Sequence, residues 1–309
     1  MNATNLKRQH GYSAIGKQFK KILASDAAAS DQFGYSIATS NTKIVVGAPY
    51  EGTTASGAGS AYIFDINGKQ FRKIQASDAA ANDYFGSAVA ISDTRIVVGA
   101  YGEDTTGSDA GSAYIFDIYG NQLAKIQASD AAAGDNFGGS TFGGTAVAAS
   151  NTRIVVGSWS EDTTASDAGS AYIFDINGTQ LAKIQASDAA ANNQFGYSVS
   201  VSDNRIVIGA PTDGTGSGTG AAYIFDINGN FITKALQSDA QATDKFGYKV
   251  AVANKCIVVS AVWEDAGGAT AGSAYIFSPG FSPFGDLCAY YDLGDPTVLD
   301  TNFLWSDYK

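Results

Sequence analysis

Five acidic side chains recur at one phase of this sequence. Glu51, Glu103, Glu161, Asp213 and Glu264 each stand four positions after the residue, Gly or Ser260, near the end of an apolar run. Carboxylates at a fixed repeat can do acid–base chemistry in pairs, coordinate a cation, or form a charged rim. Acid–base work needs two carboxylates in unlike surroundings, and these five sit in closely similar ones. Acids from separate segments converging on one axis, as in a glycosidase, are the arrangement left open. Nucleophilic chemistry has less material. The chain holds one histidine, His10, ahead of the repeats, and two cysteines, Cys256 and Cys288. No Ser-His-Asp, Cys-His or metal-ligand spacing can be assembled from them. Glycine strings such as Gly214-Thr215-Gly216 precede a strand rather than a helix, which excludes a phosphate cradle. The expectation is a protein that is not an enzyme and takes no cofactor and no metal.

The same loops carry Tyr50, Tyr101, Trp159 and Trp263, with Pro211 in the fourth copy. Aromatic loop residues either anchor an interface or tuck between neighbouring elements, and both readings stay open here. For the five acids, a solvated rim competes with a ring that faces a partner or a cation. Together these nine residues are the candidate surface for a protein or glycan partner.

The elements that position them repeat. A Phe-Gly step occurs at Phe33, Phe85, Phe137, Phe195 and Phe246, at spacings of 52, 52, 58 and 51 residues. The long interval holds an insert around Phe142-Gly143, where FGGSTFGGTAVAAS replaces FGSAVAIS. After each step comes an apolar run opened by Lys43, Arg95, Arg153, Arg205 or Lys255, then Tyr-Ile-Phe from Tyr62, Tyr114, Tyr172, Tyr223 and Tyr275. A fourth phrase with a central lysine follows, as in Gly68 to Ser77. Each phrase is short, rich in β-branched and aromatic residues and bounded by turn residues, so each reads as a strand. Asn67-Gly68, Asn177-Gly178 and Asn228-Gly229 predict two-residue hairpins. The Ser-Asp-Ala-Ala stretches predict single capped helical turns, with the aspartates of D-x4-[DN]-x-F-G serving turn geometry.

A four-stranded antiparallel unit of about 50 residues is the period of a propeller blade. The chain opens with a fourth strand, residues 16–25, and its last unit stops at its third, Tyr275-Ile276-Phe277. Pairing the two would close a ring and remove two exposed edges. The expected fold is an all-β, five-bladed β-propeller over residues 16–278, with an N-terminal extension (1–15) and a non-repeat tail (279–309). The upper loops would be acidic. The basic openers would ring the lower rim.

Composition sets outer limits. A formal charge of −11 argues against nucleic acid and anionic lipid as partners, and no apolar run reaches the length of a membrane span. The first residues lack the apolar core of a secretory signal. Two cysteines are too few for a disulfide framework; Cys256 reads as a buried thiol, with a bridge to Cys288 left open. The tail carries Phe281, Phe284, Tyr290, Tyr291, Phe303 and Trp305, too aromatic for a solvated end, and reads as a docking arm for this propeller or a second copy.

The units resemble FG-GAP repeats, the blade type of integrin α-chain propellers and of many bacterial and viral proteins. The likeness rests on Phe85-Gly86, Ile96-Val97-Val98-Gly99-Ala100 and Gly111-Ser112-Ala113-Tyr114-Ile115-Phe116 with their counterparts. The resemblance implies a propeller. Its calcium loop, of D-x-D-x-D-G type, has no match in short turns such as Ser40-Asn41-Thr42-Lys43, so calcium is not carried over. The expected role is a structural or interaction protein, attached to other structural proteins or to a cell-surface protein or glycan. A phage tail, fibre or capsid-decorating component of a virion fits an adhesion-type module without a leader. Such a protein would stay cytoplasmic until assembly or release. A lectin-like adhesion propeller using the aromatic upper loops is the alternative.

Overall fold

A computed structural model describes residues 18–140, 143–214, 218–265 and 267–278. Their strands form five antiparallel sheets in chain order. The first holds β1 (Ser36–Thr39), β2 (Lys43–Ala48), β3 (Ser60–Asp65) and β4 (Gln70–Ile74). The second holds β5 (Ala88–Ile91), β6 (Arg95–Ala100), β7 (Ser112–Asp117) and β8 (Gln122–Ile126). The third holds β9 (Val147–Ala149), β10 (Ile154–Ser158), β11 (Ser170–Phe174) and β12 (Gln180–Ile184). The fourth holds β13 (Ser198–Val201), β14 (Arg205–Ala210), β15 (Ala221–Asp226) and β16 (Phe231–Ala235). The fifth has three strands, β17 (Phe246–Val252), β18 (Ile257–Ala261) and β19 (Ser273–Phe277).

Adjacent sheets pack face to face, which is why the middle strands are apolar at every position rather than alternating. Val45, Ala61, Ile63 and Ile74 of the first sheet bury against Phe85, Val89, Ile96, Val98, Tyr114 and Phe116 of the second. The second-to-third, third-to-fourth and fourth-to-fifth contacts repeat this pattern. Each buried Phe of a Phe-Gly step meets its own sheet's Tyr and Phe edge to face, Phe85 with Tyr114 at 5.5 Å and with Phe116 at 5.9 Å. The glycine within the apolar run has a packing cause. A Cβ on Gly99 would run into the Gly138 carbonyl oxygen, and one on Gly47 into that of Gly86.

The turns depart from two expectations. At the third-to-fourth strand connection, Gly68 N–H donates to the Asp65 carbonyl and Asp65 N–H to the Lys69 carbonyl. Gly68 takes positive φ and its Asn67 neighbour does not. This is a three-residue loop with a bulge at Ile63/Phe64, not a two-residue Asn-Gly hairpin. Asp65 Oδ1 explains the preference, since it accepts from Asn67 and Lys69 N–H and stabilises the wider loop. The Ser-Asp-Ala-Ala stretches form bends and isolated turns, with Ala79 N–H on the Ala76 carbonyl, and no helix occurs among the described residues. Asp31, Asp83, Asp135 and Asp244 do serve turn geometry. They accept from Ala28, Ala80, Ala132 and Gln241 N–H at 2.7–2.8 Å.

The register corrects one residue of the basic ring. Ala253 N–H bonds the Cys256 carbonyl as Ser40 N–H bonds that of Lys43, so Cys256, not Lys255, takes the opener's place in the fifth sheet. Cys256 is half-buried. The turns joining first to second strands, at Ser40, Ser92, Ser150, Ser202 and Ala253, all line one cavity of about 510 Å³. One end of all five sheets therefore converges.

Residues 18–24 are not in a strand, and among the described residues β19 pairs with β18 alone. They lie instead against the first sheet, with Ala24 buried beside Val46 and Tyr62. Lys20 Nζ donates to the Gly68 carbonyl at 2.9 Å, and Ser25 and Gln70 exchange two hydrogen bonds. Those ties match Arg72 to Tyr119 and Ser77 with Gln122 one sheet later. Ile37 is 73% exposed where Val89 is 5%, and Ile276 is 69% exposed where Ile63 is fully buried. The first and fifth sheets thus keep apolar faces uncovered. The extension 1–15, Cys288 and the tail residues Phe281, Phe284, Tyr290, Tyr291, Phe303 and Trp305 lie outside the described residues.

Candidate functional site

The five acids are not a solvated rim. Glu51, Glu103, Glu161, Asp213 and Glu264 are each at most 5% exposed. The loop from the second strand folds back over its own acid. Glu51 Oε1 accepts from Thr53 N–H at 2.6 Å and from the Thr53 hydroxyl, and Oε2 from the Ser60 hydroxyl at 2.7 Å. Glu103 and Glu161 repeat the set with Thr105, Ser112, Thr163 and Ser170. Ser273 donates to Glu264 at 2.6 Å, and Asp213 takes Tyr223 Oη at 2.6 Å and Asn193 Nδ2 at 3.1 Å.

The central lysine of the fourth strand ties this acid to a second one. Lys125 Nζ lies 2.7 Å from Asp78 and 2.9 Å from Glu103. Lys73, Lys183 and Lys234 bridge Asp26 with Glu51, Asp130 with Glu161, and Asp188 with Asp213. The first acid of each pair follows the outer strand of the preceding sheet or, for Asp26, residues 18–24. It also receives a tyrosine hydroxyl of the next sheet, as Asp78 does from Tyr114 at 2.9 Å. The three junctions from the first to the fourth sheet are therefore each stapled by a Tyr–Asp–Lys–acid chain. In the fifth sheet Tyr275 donates to Asp239 at 2.8 Å.

Electrostatics follow from these bonds. Burial alone would raise Glu161, but donors from Ser170, Thr163 and Lys183 outweigh it and hold its pKa at about 2. Glu51 and Glu103 are lowered for the same reason. A carboxylate held ionised, with both oxygens occupied by the protein, is a poor general acid and presents no oxygen to a substrate. Asp83 and Asp135 go the other way. Burial, aided by nearby carboxylates, pushes each to about 6, while both still accept a turn N–H. Among the described residues, no three His, Cys, Asp or Glu side chains are grouped to hold a metal ion.

The aromatic candidates divide. Tyr101 is 4% exposed and stacks on Tyr84 at 5.0 Å, and half-buried Tyr50 meets Tyr84 at 5.3 Å and Tyr35 at 6.4 Å. Trp159 packs on Tyr197 at 6.3 Å, with its Nε1–H buried and no acceptor among the described residues. These three tuck between sheets. Trp263 alone presents a face, 48% exposed, with Lys245 Nζ 5.4 Å from the ring centroid.

Two of the basic openers are staples too. Arg95 Nε donates to the Ile176 carbonyl at 2.9 Å and Arg153 Nε to that of Ile227 at 3.3 Å, each reaching the next sheet's hairpin. Sequence reasoning marked the central lysines as a repeat but assigned them no role. Their signal was the near-constant spacing of Lys73, Lys125, Lys183 and Lys234 from Glu51, Glu103, Glu161 and Asp213.

The residues that recur thus build junctions, and the known-protein comparison agrees with that division into units. The FG-GAP repeat matches residues 17–64, 69–116, 121–174, 179–225 and 230–277. The second to fifth units each begin at an outer strand and end on the third strand of the next sheet, so that each of these four spans one junction. Among the described residues, no helix is long and apolar enough to cross a membrane. No curated protein matches the chain. With five units spanning most of its length, the chain belongs to the FG-GAP repeat family.

Proposed function

We propose that the chain is a non-catalytic attachment protein, a closed five-bladed propeller that docks onto other structural proteins in an assembly such as a virus particle. One observation carries this reading. Of the recurring acids, Glu51, Glu103, Glu161 and Asp213 are buried and ion-paired to a lysine, and Glu264 is buried against the Ser273 hydroxyl. Closure places residues 18–24 beside β19 as its fourth strand. The first FG-GAP unit begins at residue 17, and Ser25, Asp26 and Lys20 already make on the first sheet the contacts that outer strands make at later junctions. Covering Ile37 and Ile276 would add about 4 kcal/mol. Ser260 stands where the first four sheets have Gly47, Gly99, Gly157 and Gly209, so this junction is wider than the rest. Mass spectrometry of purified particles of the source tests the role, and absence of the chain from them overturns it.

A second reading, a glycan-binding adhesion propeller, draws on the exposed Trp263 face. A glycan array run with wild type and Trp263→Ala decides it. Binding that survives the substitution removes this platform.

A further inference from the structure

Two departures from the repeat meet at one place. The first is Lys249. Its position in the first strand, opposite the Gly or Ser of the second, holds Ser36, Ala88, Ala146 and Ser198 in the other sheets. The second is the insert in the third unit. Lys249 Nζ crosses to it, donating to the Gly143 carbonyl and, at 2.9 Å, to Thr145 Oγ1. Between them lies a cavity of about 210 Å³ bounded by the first, second, third and fifth sheets. Solvent reaches it, because exposed Ile37 is part of its wall.

The ammonium there lacks what every comparable lysine has. Lys73, Lys125, Lys183 and Lys234 each sit between two carboxylates, whereas Lys249 forms no ion pair among the described residues. Burial is the one influence depressing its pKa, with no neighbouring charge contributing. A partly buried cation without a counter-charge is costly unless a ligand supplies one. An ammonium has three N–H donors, and two go to protein oxygens. Ser36 and Ser87 donate their hydroxyls to the Gly86 and Gly99 carbonyls, which leaves their oxygens as acceptors on the cavity wall.

We propose that this axial cavity seats one oxyanion, the carboxylate or phosphate group of a small ligand, on Lys249, with Ser36 and Ser87 accepting from ligand hydroxyls. The site is separate from the attachment role and stands or falls without it. The ligand class is an acidic sugar or a phosphate.

Calorimetric titration of the full chain with glucuronate, glucose and inorganic phosphate tests this. Glucuronate or phosphate should saturate, glucose should not, and the anion that binds names the source. Lys249→Ser copies the residue of the first and fourth sheets, so it should fold, as its melting curve will verify, while weakening the anion at least tenfold. Thr145→Val should weaken it less. Lack of saturation by either anion, equal binding of glucose, or unchanged affinity in Lys249→Ser would each overturn the proposal.

Discussion

Tyr114 Oη lies 2.9 Å from Asp78 Oδ1, across the junction between the first and second sheets. Tyr114 is on the third strand of the second sheet, and Asp78 follows the outer strand of the first. Asp78 also receives Lys125 Nζ at 2.7 Å; burial pushes its pKa up, but the Lys125 and Tyr114 donors outweigh that and leave it below the usual carboxylate range. The staple ties the first sheet to the second.

Removing the cation of a staple should therefore cost more than removing the phenol. Lys125→Met leaves Asp78 and buried Glu103 without their shared counter-charge, a loss of about 3 kcal/mol. Tyr114→Phe forfeits one bond to a charged acceptor, about 2 kcal/mol. Urea unfolding midpoints at constant slope check both. A smaller effect from Lys125→Met than from Tyr114→Phe would contradict the staple.

Gly99→Ala drives a methyl into the Gly138 carbonyl and should destabilise by about 3 kcal/mol. Ser260→Gly should do the opposite and raise the melting temperature, because the glycine lets Gly34 approach as Gly86 approaches Gly47. Ser260→Gly also gives up the Lys249 N–H bond to Ser260 Oγ at 3.0 Å, so a melting temperature that falls would mean that closer approach of the first and fifth sheets does not compensate for it.

Closure makes a separate prediction at Lys21. It stands in the phase of Lys73 and Lys125, and pairing with β19 sets it beside Asp239 and Glu264 as the fifth lysine of the series. Lys21→Glu should lower the melting temperature, and hydrogen exchange should find the outer-edge amides of residues 273–277 protected in wild type. Fast exchange at those amides rules the ring out.

Acidification should first strengthen the fold and then weaken it. Asp83 and Asp135 titrate near 6 when folded and near 3.9 unfolded, so their contribution grows as pH falls from 7 towards 4. Glu161, at about 2, contributes above its unfolded value and loses that contribution as pH falls towards 2. Melting temperature should rise from pH 7 to pH 5 and fall below pH 4. Asp83→Asn with Asp135→Asn, the residue type already present at Asn193, should flatten the rise and leave the acid limb intact. A rise that persists in the double variant assigns it to other groups.

Strand identity, order and the five-unit count were legible in the chain, since Val97 and Ile115 owe their strands to local pattern and every copy repeats it. Turn type was half legible: Gly68 marks the position of positive φ, but Asp65 Oδ1 decides the loop's width. What the acids do was not legible at all. Glu103 looks the same in sequence whether it faces water or Lys125, because its fate depends on Thr105 and Ser112 folding over it and on an outer strand more than twenty residues away. Likewise Lys249 is one charged letter in a strand until the fold carries the insert across to meet it. Periodicity is written residue by residue. Charge pairing across sheets arises only once distant segments share one dry interior.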